Sequence, residues 1–596
     1  MGENILTPTF EKIEPKPFYR QLQKISIRHT WLAIVLLLIY DPAWGATYYV
    51  DATGGSDTNA GITSTSPWKT IYKVSASFFS PGDSILLKRG ETWRETLKVT
   101  SSGSSTSPIT FGAYGSGNIP VINGANLITV WENNSGTDNN TWKSTVTTEP
   151  KQLFFNGIKG IKVASTISVN SYNKWYWESN TLYIYSSTNP STFYKNPGIE
   201  ASNRSWNIEI NAKDHITFTN ISARLSNSNG FQVSNSSHIK FINIEGSYNF
   251  DNGFSIWSTD VNYNSNVYIS GGIFSYNGNN GLYLGDYLYK VVIDNCIFDH
   301  NGQNPSDLYN GGIYAAASNN MHGLIIQNCI AYSNGKDAKN AIVANPTGGY
   351  GFWMDTLGSD SGNDSNIIRY NVSYNNSNGG IQIENTNYAQ AYYNISYNNK
   401  FGIEISCSDN KYPGENNRIY NNIFYGNDIG IYVHGKYKET GINNINNNLF
   451  SNNISTNNTY HNLRAIEGGQ NVSDANGRGK GNAYTYNLFG DEKNKFIEWG
   501  TESYYSSYTS WESATGNCGF DGCSHSVKSD PHFLNPAEND FHLESNSPAI
   551  DAGTNVSLIR DYAGNAVPYG GVPDIGVYEF TKIPRQPSPP RGLRIN

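Results

Sequence analysis

Charged residues are scarce in this chain of 596 residues, where they make up 15% of the total and leave a formal net charge of -8. Lys and Arg form no cluster that could follow a phosphate backbone, which excludes nucleic acid as the expected partner. Only three Met are present, and no apolar pattern with helical spacing is sustained after residue 80. We therefore expect little helix.

Long apolar runs are also lacking, because the longest continuous candidate, Trp31 to Tyr40, is too short to span a bilayer. Three basic residues precede this run (Arg20, Lys24 and Arg28), and small residues follow it up to Gly45. This arrangement is typical of a secretory signal. Residues 1–45 are predicted to be a signal peptide, so the mature protein should be secreted and have no membrane span. A single membrane anchor is the alternative.

Cysteine is infrequent, with five residues in the chain. Cys518 and Cys523 could close a short loop in an oxidising compartment, whereas Cys296 and Cys329 occupy equivalent repeat positions and could stack or bond. Cys407 has no evident partner. No C-x-x-C motif or His/Cys pair has the spacing of a zinc site, so no cofactor is indicated by cysteine.

Asn, Gly and Tyr are abundant instead, and they recur in a repeat. An aliphatic residue stands four places before an Asn in seven successive segments, which end at Asn277, Asn301, Asn334, Asn376, Asn399, Asn427 and Asn453. Most segments are followed by a Gly that opens an alternating strand, at Gly230, Gly253, Gly281, Gly312, Gly351, Gly380, Gly402 and Gly430. The period fits one coil of a solenoid, whose short strands must stack on the neighbouring coil to bury their apolar face. Asn at a repeated turn tolerates a left-handed backbone, and its amide can bond to the Asn above and below. The sequence predicts an all-β right-handed parallel β-helix.

At these residues, and at motifs near both ends, the chain resembles the right-handed parallel β-helix superfamily that includes pectate-lyase-like enzymes. Tyr48-Tyr49-Val50-Asp51 resembles the opening of such proteins, and Pro573-Asp574-Ile575-Gly576 resembles their closing segment. The resemblance implies an architecture but no particular substrate.

The expected organisation has five parts after the signal. They are opening coils and a cap (46–124), an aromatic-rich elaboration (125–200), regular β-helix repeats (201–490), a closing segment (491–580) and a disordered tail (581–596).

One outer face can be mapped by aligning the strands that begin at Gly. The first and third residues after each Gly should point into the core, and the second and fourth should point outward. This predicts outward aromatic and amide residues for substrate binding, at Trp257, Tyr283, Tyr314, Trp353, Gln382 and Tyr432. It also predicts outward catalytic candidates, at Asp355, Glu384, Glu404 and His434.

Aromatic faces pack on sugar rings, and acids supply proton transfer, so this face predicts binding and cleavage of a polysaccharide by a monomeric enzyme. Asp355 and Glu384 in one column would lie about 5 Å apart, and Glu384 and Glu404 about 8 Å apart. The first distance is near the spacing of a retaining glycoside hydrolase and the second is within the range of an inverting one, so the distances do not distinguish these two classes. Hydrolysis is slightly favoured.

Three alternatives remain open. The acids could be an ordinary solvated face, or Asp355, Glu384 and Glu404, with Asp360 or Asp364, could bind Ca²⁺ in a lyase that acts on uronates. In the pectate-lyase-like superfamily the base is usually Lys or Arg, and the candidates (Lys336, Lys339 and Lys436) lie in predicted loops off the mapped face. The chain could also be a non-catalytic surface solenoid, which outward aromatics scattered around the coil would favour.

Overall fold

The computed structural model describes residues 45–581 except 135–139, 260–264, 319, 359–363, 409–411, 436–444, 468–480, 494, 501–503 and 514–524. The predicted signal peptide, the Cys518–Cys523 loop and the tail from residue 582 lie outside the described residues. Within the described part, no helix is both long and apolar enough to cross a membrane.

Three long sheets run along the solenoid, and the chain visits them in the same order in each coil. Sheet 1 has strands Thr47–Val50, Ser84–Lys88, Ile109–Tyr114, Asp214–Thr219, Ser237–Ile242, Val267–Ser270, Val291–Asp294, Ile325–Gln327, Ile367–Arg369, Gln390–Tyr392, Arg418–Tyr420, Leu449–Ser451 and Ala483–Thr485. Sheet 2 has strands Thr92–Trp93, Val121–Asn123, Ser222–Arg224, Glu245–Ser247, Ile273–Ser275, Ile297–Asp299, Ile330–Tyr332, Val372–Tyr374, Ile395–Tyr397, Ile423–Tyr425 and Ile454–Thr456.

Sheet 3 carries the mapped face. Its strands are Leu97–Lys98, Trp206–Asn211, Asn229–Ser234, Phe254–Trp257, Asn280–Leu284, Gly311–Ala316, Tyr350–Asp355, Gly379–Glu384, Phe401–Cys407, Ile429–Gly435, His461–Glu467, Ile497–Trp499 and Tyr504–Tyr505. Neighbouring strands are parallel up to Ile497–Trp499, and the last pair is antiparallel. Sheet 3 therefore continues into the segment predicted to close the helix.

The core lies between the sheets, where the inward positions stack coil on coil. The inward residues of four central strands of sheet 3 have at most 1% of their surface exposed: Phe352, Met354, Ile381, Ile383, Ile403, Ile405, Ile431 and Val433. Because each apolar face is buried only by the coils beside it, the stacking itself supplies the hydrophobic stabilisation. The predicted inward and outward alternation is confirmed at these positions.

A ladder of buried asparagines joins sheets 2 and 3. Each side-chain amide donates to the side-chain oxygen of the next Asn, at 2.9 to 3.4 Å, through Asn249, Asn277, Asn301, Asn334, Asn376, Asn399, Asn427 and Asn458. Asn453 belongs instead to a second ladder, with Asn371, Asn394, Asn422 and Asn487. The left-handed residue precedes the ladder position, as at Tyr276 and His300. The left-handed conformation that Asn would tolerate is thus adopted by the residue before it.

The glycines that open the strands are required by close packing. A Cβ on Gly402 would lie 2.5 Å from the carbonyl oxygen of Gly430 and 3.0 Å from the amide nitrogen of Asn427. Real Cβ atoms do not approach backbone this closely, so a side chain here would push neighbouring coils apart.

Residues 125–202 form two mainly antiparallel sheets beside the first coils. A four-stranded sheet contains Ile158–Lys159, Leu153–Phe155, Ile199–Ser202 and Ala125–Ile128. A five-stranded sheet contains Ile161–Lys162, Lys174–Glu178, Thr181–Tyr185, Thr141–Thr145 and Glu132–Asn133. They share an apolar core that includes Trp175, Leu182 and Ile184.

Helices in the described part are short. The α-helices are Ile71–Ser75, Pro190–Phe193 and Tyr508–Glu512, and 3₁₀ turns occupy Thr166–Ser168 and Pro536–Glu538. The predicted scarcity of helix is confirmed.

The last described segment packs on the coils through a two-stranded sheet, Phe533–Asn535 with Asp540–Leu543. Its buried carboxylates accept backbone N–H bonds: Asp574 from Asp551 and Phe580, and Glu579 from Tyr569 and Asp574. Burial raises the pKa of Asp574 to about 6 and that of Glu579 to about 7. Cys296 and Cys329 are buried free thiols, and Cys407 is buried as well.

Candidate active site

The outward side chains of sheet 3 form three columns, each with one residue per strand. Column 1 contains Gly311, Tyr350, Gly379, Phe401, Ile429 and His461. Column 2 contains Tyr283, Tyr314, Trp353, Gln382, Glu404, Tyr432, Arg464 and Glu498. Column 3 contains Ala316, Asp355, Glu384, Ser406 and His434.

Asp355 and Glu384 are direct neighbours in column 3, as the strand alignment predicted. Asp355 accepts hydrogen bonds from Tyr314 at 3.0 Å and from the Thr356 hydroxyl at 2.7 Å. Glu384 accepts one from the Gln382 amide at 3.2 Å. Burial, followed by the charge of Asp355, raises the pKa of Glu384 to about 7. A carboxyl group with this pKa is protonated in about half of the molecules at neutral pH and can then donate its proton.

Glu404 lies in column 2, one strand beyond Glu384, and is 5% exposed. The Tyr350 hydroxyl donates to its Oε2 at 2.5 Å, and His434 Nε2 lies 2.6 Å from its Oε1. Both carboxylate oxygens are thus held by protein groups. The His434 ring also stacks on Tyr432, with ring centroids 4.4 Å apart.

Tyr350 reaches Glu404, two strands away, because the strand between them has Gly379 at the column 1 position next to Tyr350. A Cβ on Gly379 would lie 2.6 Å from a ring carbon of Tyr350. The absence of a side chain at this position therefore allows the Tyr350 ring to lie over the strand and its hydroxyl to meet the carboxylate.

The predicted aromatics converge beside the acids. Tyr314, Trp353, Tyr350 and Phe401 pack in one cluster, with Tyr283 and Tyr432 at its margin. Trp353 is only 3% exposed, and its ring lies 4.8 Å from that of Tyr314 and 4.9 Å from that of Tyr350. Trp353 therefore supports neighbouring rings rather than offering an open face. Trp257 lies three strands before Asp355 along the sheet, about 14 Å away at the usual strand spacing.

Two buried polar atoms of this face lack a protein partner, namely Gln382 Oε1 and Trp353 Nε1. Buried polar atoms are nearly always satisfied in native proteins. Both atoms lie in column 2 beside the acids, so water or a ligand hydroxyl is the expected partner.

The donor set of the three acids does not fit Ca²⁺. Calcium needs six or more free oxygen ligands, whereas the oxygens of Glu404 and Asp355 are engaged by protein hydrogen-bonding groups. Among the described residues, no group of three His, Cys, Asp or Glu side chains has an arrangement that could hold a metal ion. Asp364 is described, whereas Asp360 and Lys436 lie outside the described residues.

Sequence alignment of the strands missed two residues. Tyr350 stands before its Gly, at a position the alignment did not read outward. Arg464 lies next to Tyr432 in column 2, with its guanidinium 5.2 Å from the Tyr432 ring and its Nε 2.5 Å from Glu498. Arg464 is thus a basic side chain on this face that was not among the candidate bases. Lys336, in contrast, donates to Asn375 at 2.6 Å on a different part of the coil.

Known proteins resemble the chain in fold much more than in sequence. No family model matches it. A lacto-N-biosidase from Bifidobacterium longum is 43% identical over 76 residues, a match that covers 12% of this chain and 5% of that protein. The match thus spans about a twentieth of the length of this curated relative.

Among solved structures, the complex of XylC with xylose is similar over 90% of this chain and 98% of the other, with a TM-score of 0.57 and 13% identity. Pectate lyase Pel9A is similar over 90% of this chain and 96% of its own chain, with a TM-score of 0.44 and 17% identity. A lacto-N-biosidase from Eubacterium ramulus is similar over 69% of this chain and 64% of its own chain, with a TM-score of 0.38 and 14% identity.

The three parallel sheets and the likeness to XylC over nearly its whole length agree with the motifs of the sequence. The chain has the right-handed parallel β-helix fold.

Proposed function

We propose that the chain is a secreted glycoside hydrolase that cuts a polysaccharide bound across the outer face of sheet 3. The observation that carries this proposal is the pair Asp355 and Glu384, in which a half-buried carboxyl group with a pKa of about 7 lies directly beside a second carboxylate. Environments that push two neighbouring carboxyl groups apart in pKa allow one to act as an acid and the other as a base or nucleophile.

In this mechanism Glu384 gives its proton to the glycosidic oxygen as the bond from that oxygen to the anomeric carbon breaks. Asp355 either attacks the anomeric carbon or takes a proton from the water that does. If Asp355 attacks, water then cleaves the glycosyl–Asp355 ester and gives a proton back to Glu384. If Asp355 takes the proton of the water, it releases that proton to solvent and Glu384 takes one up from solvent. Each route consumes one water. The hydrogen bond from Tyr314 keeps the Asp355 carboxylate oriented.

Glu404 and His434 act beside this pair. Because Tyr350 and His434 hold both oxygens of Glu404, its charge stays near Glu384 and contributes to the raised pKa of that residue. Gln382 Oε1 can accept a hydrogen bond from a sugar hydroxyl. Tyr283 and Tyr432, at the margin of the aromatic cluster, and Trp257 farther along offer ring surface to more distant sugars.

The comparisons support a carbohydrate substrate. XylC was solved with xylose, and the curated relative is a lacto-N-biosidase. Since one fold hosts many activities, these likenesses support the substrate class and leave the particular sugar to experiment.

The decisive experiment is a panel of neutral and acidic polysaccharides incubated with the chain from residue 46 onward, with and without a chelator. New reducing ends without ultraviolet absorbance from unsaturated uronates indicate hydrolysis. Glu384→Gln should lower turnover by at least about 100-fold, as expected for a positioned proton donor. The matched control is Glu209→Gln, a glutamate in column 2 near the start of sheet 3. Unchanged turnover in both Glu384→Gln and Asp355→Asn would show that the acids are a solvated face.

A second candidate function is that of a lyase, and Arg464 is the residue that favours it. A lyase that acts on a uronate needs a base near the substrate, and Arg464 lies three strands from Gln382 and next to Tyr432 on the same face. This activity would release unsaturated products and would be lost in Arg464→Met. Binding without any product would favour the non-catalytic solenoid.

A further inference from the structure

The outer face of the five-stranded sheet carries an aromatic strip that the solenoid does not cover. Tyr176 and Tyr183 are cross-strand neighbours, with nearly parallel rings 6.3 Å apart. Tyr185 follows Tyr183 by two residues and therefore points to the same face. Its ring lies 5.2 Å from that of Tyr172, which in turn stacks on Phe193 at 5.3 Å.

These rings are open to solvent. Tyr172 is 44% and Phe193 46% exposed, and the three sheet tyrosines are partly exposed. On the opposite face of the same sheet, Trp175, Leu182 and Ile184 are buried in the core of residues 125–202. Packing thus accounts for the inner rings but not for the five outer ones. Contiguous exposed rings of this kind usually mark an interaction surface.

The surroundings of the strip indicate what it binds. The Tyr172 hydroxyl donates to Ser187 at 2.7 Å and the Tyr176 hydroxyl to Glu178 at 3.0 Å, so the ring edges carry polar groups that can also meet sugar hydroxyls. The flanking charges balance, since Lys143 lies 3.7 Å from Glu132 while Lys174 and Glu178 contribute one charge of each sign. A flat aromatic surface with polar edges and no net charge suits a neutral sugar chain better than an acidic polymer or an anionic lipid surface.

We propose that the outer face of the five-stranded sheet is a second carbohydrate-binding site, which holds a neutral polysaccharide by stacking sugar rings on Tyr172, Tyr176, Tyr183, Tyr185 and Phe193. The site tethers the enzyme to a polymer and takes no part in bond cleavage. It does not depend on the chemistry assigned to Glu384.

The test uses the chain from residue 46 onward and measures depletion from solution by insoluble xylan, cellulose and chitin, with polygalacturonate as the acidic comparison. The double variant Tyr176→Ala/Tyr183→Ala should bind at least about 10-fold more weakly, because two of the rings on which sugars stack are removed. Phe193→Ala, at an exposed position outside the sheet, should weaken binding too and guards against misfolding of the double variant. Tyr72→Ala, an exposed tyrosine on the helix Ile71–Ser75, is the matched control and should bind as the unaltered chain does.

Activity on short soluble oligosaccharides should remain unchanged in all three variants, which separates this proposal from the assignment of the catalytic pair. The proposal is overturned if no neutral polysaccharide in the panel depletes the protein, or if binding is the same in the ring variants. It is also overturned if the only effect of the ring substitutions is to dissociate a dimer, because the face would then bind a second copy of the chain. The same holds if their only effect is to abolish binding to phosphatidylcholine vesicles, because the face would then bind a membrane.

Discussion

At the scale of single residues, the protonation of Glu384 links stability to pH. Its pKa is raised by burial and by the charges of Asp355 and Glu404 from an ordinary value of 4.5 to about 7. The fold therefore favours the protonated form. The resulting stabilisation is fully present below about pH 4.5 and is lost as the pH rises through about 7.

We accordingly expect the free energy of unfolding in urea to be smaller at about pH 8 than at about pH 5, with a smaller difference in Glu384→Gln. Part of the difference should remain, because Asp574 and Glu579 also have raised pKa values and contribute with the same sign. Equal pH dependence in the two proteins would contradict the assignment. In activity assays the same titration predicts a fall in turnover above about pH 7, and Asp355→Asn should move that fall to lower pH.

Gly379 is a second residue whose role can be tested alone. In Gly379→Ala the new methyl group would meet the Tyr350 ring, so we expect a loss of about 1–3 kcal/mol in stability from overpacking. Tyr350→Phe removes only the hydroxyl that binds Glu404. Gly379→Ala and Tyr350→Ala together should lose less stability than the sum of the two single losses, because the methyl group no longer meets a ring. Additive losses in this double-mutant cycle would show that the ring and the glycine do not interact.

At the scale of repeated elements, the asparagine ladder offers a matched pair of neighbours. Asn399 is buried and accepts bonds from the backbone and side chain of Asn376, while its own amide donates to the Ser373 carbonyl and to Asn427. Asn399→Ala leaves these buried groups unpaired and should cost about 3 kcal/mol or more. Asn398 beside it is exposed and left-handed at φ 54°, so Asn398→Gly should change stability little. Chemical denaturation of both variants checks the contrast.

The pattern of the elements explains what could be predicted from sequence. Each Gly marks the start of a strand of sheet 3, and alternation from that point places Asp355 beside Glu384 and buries Phe352 and Ile381. Contacts that cross two strands follow no such rule. The bond from Tyr350 to Glu404 depends on the gap at Gly379, and the burial of Trp353 depends on rings from three different strands. Arg464 was missed because no Gly opens its strand.

At the scale of the whole molecule, a solenoid is stabilised by contacts between neighbouring coils, so each end has an apolar edge that a capping segment must cover. The first strand, Thr47–Val50, pairs with Ser84–Lys88, and Asp51 caps the turn that follows by accepting the backbone N–H groups of Thr53 and Gly54. The predicted signal ends just before this strand. Removal of residues 1–45 should therefore leave every described coil contact in place.

We expect the shortened protein to be soluble, to show a circular-dichroism spectrum dominated by β-structure and to melt cooperatively. The control is a shorter version that begins at residue 52. It lacks the first strand and Asp51, and it exposes the buried edge at Ile85 and Leu87. Because nothing then covers this apolar edge, the second version should melt at a lower temperature. A largely helical spectrum of the first version would contradict the fold, and equal melting of the two would show that the strand Thr47–Val50 does not cap the solenoid.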